Sequence, residues 1–366
     1  MNLPLTDNFK TLLLSNTPLI DVRAPVEFEK GAFPSSVNLP LMTDEEREAV
    51  GICYKEEGNR KALELGHRLV KGDIKEARVK AWCDFISKHP DAVLYCFRGG
   101  DRSRISQEWL HEAGCEISRI KGGYKAFRRY ILNEFETMGE KFSPLVLGGY
   151  TGSGKTILLQ RIRQSVDLEA LAHHRGSAFG HQIDAQPTQI DFEHELAASL
   201  LRQIESGANE IVVEDESRRI GRREIPQALF SHFKASPLVI LDIPMEKRIE
   251  TIFQEYVNRF QKQFTKRFGE AEGMEVWKRT MLRNFGAIQR KLGGERHAEM
   301  VATFEKALKK QVEEGSVKEH AVWIEALLRD YYDPMYGYQM EQNKERILFR
   351  GDEEEVLAFF QERKIK

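Results

Sequence analysis

The stretch "PLVLGGYTGSGKT", residues 144–156, decides the fold of the second half of the chain. An apolar run typical of a β-strand leads into Gly149, four further residues and then Gly154-Lys155-Thr156, the complete spacing of a phosphate-binding P-loop. In such a loop, backbone amides surround a diphosphate, the lysine neutralises it and the threonine hydroxyl holds Mg²⁺. The sequence therefore predicts phosphate binding by Gly149, Thr151, Gly152, Ser153, Gly154, Lys155 and Thr156.

On both sides of this loop, short apolar runs alternate with amphipathic ones, which is typical of an α/β fold. A chain of 366 residues also exceeds what one hydrophobic core usually supports. We predict an N-terminal α/β domain over 1–135 and a P-loop α/β domain over 136–366, with a helical insertion at about 245–332. Residues 42–89 have the pattern of surface helices inserted between strands, for which we predict no chemical role. The strand predictions are 18–23, 92–96, 144–148, 210–214, 237–244 and 346–351.

Acidic and basic residues follow the apolar run "EIVVE" (210–214). Glu214 or Asp215 stands where P-loop proteins place a metal-binding carboxylate, so we predict that Thr156 and Glu214 hold Mg²⁺. A solvated acidic turn explains these residues nearly as well. In "ESRRIGRRE" (216–224), Arg218 and Arg219 are predicted to bind phosphate, and an exposed turn is the alternative.

The stretch "YCFRGGDRS" (95–103) combines one cysteine, two glycines and two arginines between a predicted strand and a predicted helix. Gly99 and Gly100 let the backbone amides turn inward, and a helix N-terminus adds partial positive charge. Cys96 in such a loop is predicted to be a reactive thiolate, and Arg98 and Arg102 are predicted to bind an anion. A buried cysteine at a strand end would not need these glycines and arginines.

Three basic clusters, 118–130, 216–224 and 278–296, predict contact with nucleic acid. Basic residues beside aromatic ones supply the phosphate neutralisation and stacking that single-stranded or looped RNA requires. Each cluster alone is more often a solvated helix face. The predicted RNA-binding residues are Arg128, Arg129, Arg222, Arg223, Lys278, Arg279, Arg283 and Arg290.

Composition and charge limit the partners and cellular location that we expect for the protein. Because 55 basic and 57 acidic residues give a net charge of −2, any polyanion-binding surface must come from local segregation of charge. The four cysteines are too few and too scattered for a disulfide framework or structural zinc. The apolar run 12–14 is too short for a secretory or membrane segment. These features favour a cytoplasmic protein with no membrane partner.

The first 135 residues resemble a rhodanese domain in three segments, "LIDVRAPVEFEKGAFPSSVNLP" (19–40), the Cys96 loop and "IKGGYKAF" (120–127). In that family the loop cysteine carries a transferable chalcogen, and the motif matched by Asp21 and Arg23 supports the domain structurally. This chain departs from common sulfurtransferases because five residues, not four, separate Cys96 from Arg102. That spacing is typical of cysteine-dependent phosphatases, so phosphate-ester hydrolysis and attack on a chalcogenophosphate both remain open.

With "HRGSAFG" (174–180), "ESRRIG" (216–221) and "YYDPMYGY" (331–338), the order of motifs resembles bacterial tRNA 2-selenouridine synthases over essentially the whole chain. The resemblance implies two reactions on wobble 2-thiouridine of tRNA: S-geranylation by geranyl diphosphate, then replacement of the geranylthio group by selenium from selenophosphate. It implies no tightly bound cofactor, and a selenophosphate synthetase as a source of selenophosphate. Cys96, Arg98, Arg102 and Lys155 are the predicted catalytic residues, and "HRGSAFG" is interpreted as an active-site loop.

Three other functions fit parts of the sequence. A P-loop kinase or ATPase fused to a sulfurtransferase would act on a small molecule. A nucleotide-regulated binding module would leave Cys96 inert. A phosphatase is suggested by the width of the Cys96 loop, although Tyr95 stands where a histidine would be expected.

Overall fold

A computed structural model describes residues 3–365 of the chain, which group into two compact units. The first unit runs to Met138 and also includes Pro187–Arg202. The second comprises Gly139–Gln186 and the chain from Gln203 onward. A segment from the middle of the predicted P-loop domain therefore groups with the first unit.

The first unit contains a five-stranded parallel sheet in the order β1-β5-β4-β2-β3. Its strands are β1 Leu5–Thr6, β2 Leu19–Asp21, β3 Ser36–Asn38, β4 Val93–Tyr95 and β5 Ser118–Ile120. Its helices are α1 Phe9–Leu14, α2 Pro25–Phe28, α3 Asp44–Glu57, α4 Asn59–Leu69, α5 Asp73–Lys88, α6 Asp101–Glu112 and α7 Gly123–Met138. The central strand, β4, is buried along its whole length and ends directly before Cys96.

Helix α6 follows the Cys96 loop and begins at Asp101. Ile105, Trp109 and Leu110 lie on its buried face. The chain leaves the helix at Gly114, whose φ of 78° is a left-handed conformation that favours glycine.

The second unit contains another five-stranded parallel sheet, in the order β12-β11-β6-β8-β7, and a two-stranded antiparallel ribbon, β9-β10. Its strands are β6 Ser143–Gly149, β7 Ser165–Val166, β8 Glu210–Glu214, β9 Arg219–Ile220, β10 Arg223–Glu224, β11 Leu238–Leu241 and β12 Ile347–Gly351. The helices along this part of the chain are α8 Lys155–Leu159, α9 Leu168–Leu171, α10 Gln189–Glu205, α11 Gln227–Ala235, α12 Met245–Phe253, α13 Phe260–Phe268, α14 Glu270–Leu292, α15 Gly294–Glu314, α16 His320–Leu327, α17 Asp333–Gln342 and α18 Glu353–Glu362. Both five-stranded sheets confirm the predicted α/β class.

The helical region of the second unit extends from Met245 to Gln342, about ten residues beyond the predicted end. Short π-helical turns, Gln254–Arg259 and Leu328–Tyr332, continue α12 into α13 and α16 into α17. This region has its own aromatic core, formed by Trp277, Phe285, Phe304 and Trp323 among others. Tyr256, Phe260 and Phe264 also belong to this core, and Phe253 packs against it.

The cysteine prediction needs one correction. Cys83 in α5 and Cys115, just after α6, are joined by a disulfide, because packing of the two helices brings their Cα atoms to 6.1 Å. Cys53 and Cys96 are free. Among the described residues, no helix combines the length and apolar character that crossing a membrane would require.

Candidate functional site

Cys96 lies in a cavity of about 1020 Å³ within the first unit. The residue is only 2% exposed, but it forms part of the cavity lining together with Arg98, Gly100 and Arg102. The loop opens from the carboxyl end of the central strand of a parallel sheet, which is where α/β proteins generally bind ligands. Cys96 is therefore a buried thiol that lines a cavity at this edge of the sheet.

The sulfur of Cys96 contacts a hydroxyl group. Its Sγ lies 3.1 Å from Oγ of Ser103, a fully buried side chain at the first turn of α6, and that Oγ is also 3.1 Å from the carbonyl oxygen of Gly100. Ser103 directly follows Arg102, and sequence reasoning did not single it out. The sequence does contain a signal for this contact, because Ser103 lies in the first turn of the helix that follows the Cys96 loop.

Glycines allow the Cys96 loop to pack closely against the start of α7. Gly99 has a φ of 67°, and a Cβ atom there would lie 2.8 Å from the backbone nitrogens of Gly122 and Gly123. The amide of Tyr124 donates a hydrogen bond of 2.9 Å to the carbonyl of Cys96. The "IKGGYKAF" segment therefore fixes the shape of the loop.

The two loop arginines have different surroundings. Arg102 donates hydrogen bonds to the carboxylate of Glu27, which also pairs with Arg47 at 3.3 Å. Burial acts to raise the pKa of Glu27, but the hydrogen bonds and charge of Arg102 lower it overall. Arg98 is exposed and lines the cavity. An incoming anion would therefore meet Arg98 first and would compete with Glu27 for Arg102.

A buried ion pair supports this unit away from the loop. Asp21 and Arg23 are almost fully buried, and the two guanidinium nitrogens of Arg23 that face Asp21 lie 2.6–3.0 Å from its carboxylate oxygens. Arg23 also donates to the carbonyl of Gly31 at 2.9 Å. The pair joins the end of β2 to the segment after α2, in agreement with its expected structural role.

Helices α3 and α4 form much of the cavity lining, although sequence reasoning assigned them no chemical role. Val50 and Ile52 of α3, and Ala62 and Leu63 of α4, line the same cavity as Cys96. Their charged, surface-like composition concealed this role.

The second loop, Gly149–Thr156, begins at the carboxyl end of β6, the central strand of the second sheet. Gly149, Gly152 and Gly154 have φ values of 149°, 81° and 82°. Nζ of Lys155 lies 3.2 Å from the carbonyl oxygen of Gly149, so the lysine folds back over the loop. The helix that follows, α8, has only five residues.

Carboxylates surround the hydroxyl of Thr156. Its Oγ1 lies 3.1 Å from Oε1 of Glu214 and 3.3 Å from Oε2 of Glu169. Asp215, the alternative metal ligand, instead pairs with Lys234 at 2.8 Å. Across residues 3–365, no group of three or more His, Cys, Asp and Glu side chains is arranged to hold a metal. Thr156 and Glu214 fit Mg²⁺ only as partial ligands, completed by water and phosphate oxygens as that ion requires.

These buried carboxylates raise one another's proton affinity. Burial, followed by the charge of Glu216, raises the pKa of Glu169 to about 8. Burial and the charge of Glu214 raise the pKa of Glu216 to about 7. Gly176 of the "HRGSAFG" loop packs against this pair, since a Cβ atom there would lie 2.5–2.8 Å from carboxylate oxygens of both residues. The loop thus covers the acidic side of the P-loop.

A buried arginine supports the P-loop from the other side. Arg248 of α12 is 4% exposed, and its Nε donates a 2.9 Å hydrogen bond to the carbonyl of Thr151. Its remaining nitrogens pair with Asp333 of the "YYDPMYGY" segment, one of them at 3.0 Å. Sequence reasoning missed Arg248 because nothing local marks an arginine 97 residues from its partner as buried.

The arginines of the basic cluster 216–224, which include the predicted phosphate-binding residues, have other partners. Arg218 and Arg219 pair with the carboxylate of Glu224 at 3.0 and 2.9 Å, across the β9-β10 ribbon. The backbone amide of Arg222 donates a 2.7 Å hydrogen bond to Oε1 of Gln186, and Nε of Arg223 is buried without a hydrogen-bond partner among the described residues. Local ion pairing therefore holds the side chains of Arg218 and Arg219.

The predicted RNA-binding residues divide into two groups. Arg128 is half-buried and pairs with Glu193 of α10, whereas the neighbouring Arg129 is exposed. On α14, Arg279, Arg283 and Arg290 are exposed and fall on one face at helical spacing, while Lys278 is half-buried. The α14 arginines form a basic stripe suited to a phosphate backbone.

Comparisons with known proteins show the family to which both halves of the chain belong. The family model of a rhodanese-like domain matches residues 6–130, and that of the tRNA 2-selenouridine synthase AAA domain matches residues 142–366. A protein of Sulfurovum sp. called tRNA 2-selenouridine synthase is 55% identical over 98% of this chain and 99% of its own length. Proteins with the same name from Cupriavidus pinatubonensis and Shewanella pealeana are 48% and 46% identical, covering 98% and 94% of both chains respectively. The chain belongs to the tRNA 2-selenouridine synthase family.

Proposed function

We propose that this protein converts wobble 2-thiouridine of tRNA to 2-selenouridine through an S-geranyl intermediate. The observation that carries the proposal is that each unit has, at the carboxyl end of its central strand, one loop whose sequence predicts anion binding. One loop contains a cysteine and the other a lysine. Two different anionic substrates, selenophosphate and geranyl diphosphate, match two such loops.

Geranylation is assigned to the P-loop. The sulfur of 2-thiouridine attacks C1 of geranyl diphosphate, a carbon–sulfur bond forms, the carbon–oxygen bond breaks and diphosphate leaves with the electron pair. The nucleobase loses its N3 proton to solvent. Lys155 and the loop amides stabilise the negative charge that develops on diphosphate. If Mg²⁺ is bound, Thr156 and Glu214 would hold it, and it would supply further neutralisation of that charge.

Selenium transfer is assigned to the Cys96 loop. Selenophosphate carries fully reduced selenium, so attack of Cys96 Sγ on phosphorus forms a sulfur–phosphorus bond and releases selenide with the electron pair. Selenide then attacks C2 of the S-geranyl base, the carbon–sulfur bond breaks and geranylthiolate leaves. Water later hydrolyses phosphocysteine to phosphate and thiol.

The spacing of the loop supports this route. The five residues between Cys96 and Arg102, with Ser103 next to the sulfur, suit a tetrahedral phosphate group. Transfer of selenium itself to Cys96 would either reduce phosphorus to the phosphite level or, with phosphate as the product, need a two-electron oxidant. Attack on phosphorus needs none, because every oxidation state is conserved.

Mass spectrometry of nucleosides tests the proposal. The protein is incubated with a 2-thiouridine anticodon stem-loop, geranyl diphosphate and selenophosphate, and each is omitted in turn. We expect 2-selenouridine only in the complete mixture and S-geranyl-2-thiouridine when selenophosphate is omitted. Formation of 2-selenouridine without geranyl diphosphate would contradict the two-stage route, and steady ATP hydrolysis without RNA would favour a kinase or ATPase.

A further inference from the structure

The cavity that contains Cys96 has two chemically different parts. The Cys96 loop supplies a polar end with the sulfur and the arginines. The remaining lining combines charged side chains, among them Arg47, Glu48 and Lys55, with an apolar group: Met42, Val50, Ala62, Leu63, Ile105 and Trp109. A volume of about 1020 Å³ is at the upper end of what small-molecule sites enclose, and is much more than a phosphate-sized anion needs. A ligand that fills it must join a polar reacting group to an apolar body.

We propose that the apolar part of this cavity holds the geranyl chain of S-geranyl-2-thiouridine while selenium replaces the geranylthio group. This inference rests on the function proposed above. The geranyl chain is bonded to the sulfur that leaves C2. Its first carbon is therefore only two bonds away from C2, the atom that selenide attacks. If that attack occurs beside Cys96, the ten carbons must lie next to the loop, where the apolar lining begins.

The burial of the lining residues explains why an apolar chain would bind there. Met42, Ile105 and Trp109 are buried members of the hydrophobic core of the unit, and Val50 and Leu63 pack against that core. A geranyl chain placed against these side chains leaves water, and each methylene group that it buries adds affinity. An unmodified 2-thiouridine has no such group. The cavity therefore selects the geranylated base and makes geranylation precede selenium transfer.

Substrate chain length provides the test. Anticodon stem-loops that carry S-methyl-, S-dimethylallyl- or S-geranyl-2-thiouridine are supplied with selenophosphate, and kcat/KM for 2-selenouridine formation is measured. We expect the intact protein to prefer S-geranyl over S-methyl RNA by at least about tenfold, with S-dimethylallyl RNA between them. Val50→Phe and Leu63→Phe, which fill the cavity, should reduce that preference to less than about threefold.

The ratio of kcat/KM for S-geranyl RNA to kcat/KM for S-methyl RNA separates the proposal from a general loss of folding. A variant that is only destabilised loses activity on both RNAs and keeps the ratio. Ile74→Phe on α5, an exposed apolar residue outside the cavity lining, is the matched control and should retain the ratio. Thermal unfolding of each variant is recorded in parallel.

Two results would count against different claims. If the intact protein converts none of the S-alkyl RNAs, the proposed function fails. If the protein converts them, and both Val50→Phe and Leu63→Phe keep the preference for S-geranyl RNA, the geranyl chain lies elsewhere. Only the cavity assignment is then overturned.

Discussion

At the scale of single residues, Ser103 distinguishes the Cys96 loop from an ordinary strand end. Its hydroxyl lies 3.1 Å from Sγ of Cys96 and can donate to the sulfur when it is charged. Because a hydrogen bond to a charged group contributes about 1.5–3 kcal/mol, Ser103→Ala should slow selenium transfer by about 10- to 100-fold. Ser103→Thr should restore most of the rate, since it keeps the hydroxyl.

Ser106→Ala is the matched control for Ser103. Ser106 is equally buried on the same helix, but its hydroxyl donates to the carbonyl of Arg102 at 3.0 Å and does not contact the sulfur. Single-turnover selenium transfer on S-geranyl RNA measures the effect directly. Equal losses for the two alanine variants would show that Ser103 only packs.

Glu169 predicts how stability depends on pH. Burial and the charge of Glu216 raise its pKa to about 8, above the unfolded value of 4.5. The folded protein therefore keeps a proton that the unfolded chain loses, so the contribution of this group to stability falls as pH rises from about 4.5 to about 8. Glu169→Gln should raise the free energy of unfolding at pH 8 by at least about 1 kcal/mol.

The same substitution should have little effect near pH 4.5, where Glu169 is protonated in the folded state. Denaturant unfolding at both pH values, with phosphate-free buffer, measures the difference. A stabilisation that is equal at the two pH values would contradict the assignment of the effect to titration of Glu169.

Sequence reasoning identified residues whose signal is local. Cys96, Lys155 and Thr156 were found because a loop and its neighbouring strand and helix are contiguous in sequence. Glu169 and Arg248 were missed because each is defined by a partner far along the chain, such as Thr151 for Arg248. Composition alone cannot show which charged residues become buried.

At the scale of elements, α12 stabilises the P-loop through Arg248. Arg248→Met removes the hydrogen bond to Thr151 and leaves the carboxylate of Asp333 without this cation. We expect KM for geranyl diphosphate to rise at least about tenfold. Arg248→Lys should not restore it, because an ammonium group cannot reproduce the two-sided geometry of the guanidinium.

Arg267 on α13 provides the comparison for Arg248. It pairs with Asp184, but both side chains are more than half exposed, so Arg267→Met should change KM little. Steady-state geranylation of 2-thiouridine RNA tests both variants. Unchanged kinetics in Arg248→Met would contradict a positioning role.

The exposed arginines of α14 predict part of the RNA affinity. Replacing Arg279, Arg283 and Arg290 together by alanine should weaken tRNA binding and reduce the slope of log K against log salt by about 2. Lys306 and Lys309 on α15 are also exposed, and their alanine variants serve as the control. An unchanged slope in the triple variant would place the RNA elsewhere.

Strands were predicted correctly where the sequence has a long continuous apolar run. The strands β6 and β8 lie within one residue of the predicted ranges, because continuous apolar runs mark buried parallel strands. β1, β3 and β5 have only two or three residues and no such signal. α3 was predicted as a helix, but its contribution to the Cys96 cavity depends on tertiary packing.

At the scale of the whole molecule, the two parallel sheets follow one plan, with a predicted anion-binding loop after the central strand of each. The grouping of Pro187–Arg202 with the first unit was not predicted, because the apolar residues of α10 show only that one face of the helix is buried and not what buries it.

The division of labour between the loops is tested most directly by two variants and two substrates. Cys96→Ser and Lys155→Ala are each given 2-thiouridine RNA with both donors, and separately S-geranyl RNA with selenophosphate, and the nucleosides are measured by mass spectrometry. We predict that Cys96→Ser accumulates S-geranyl-2-thiouridine and forms no 2-selenouridine from either RNA. Lys155→Ala should form no S-geranyl product but should convert supplied S-geranyl RNA to 2-selenouridine. The assignment would be contradicted if Lys155→Ala kept geranylation and lost selenium transfer. It would also be contradicted if Cys96→Ser lost geranylation and kept selenium transfer.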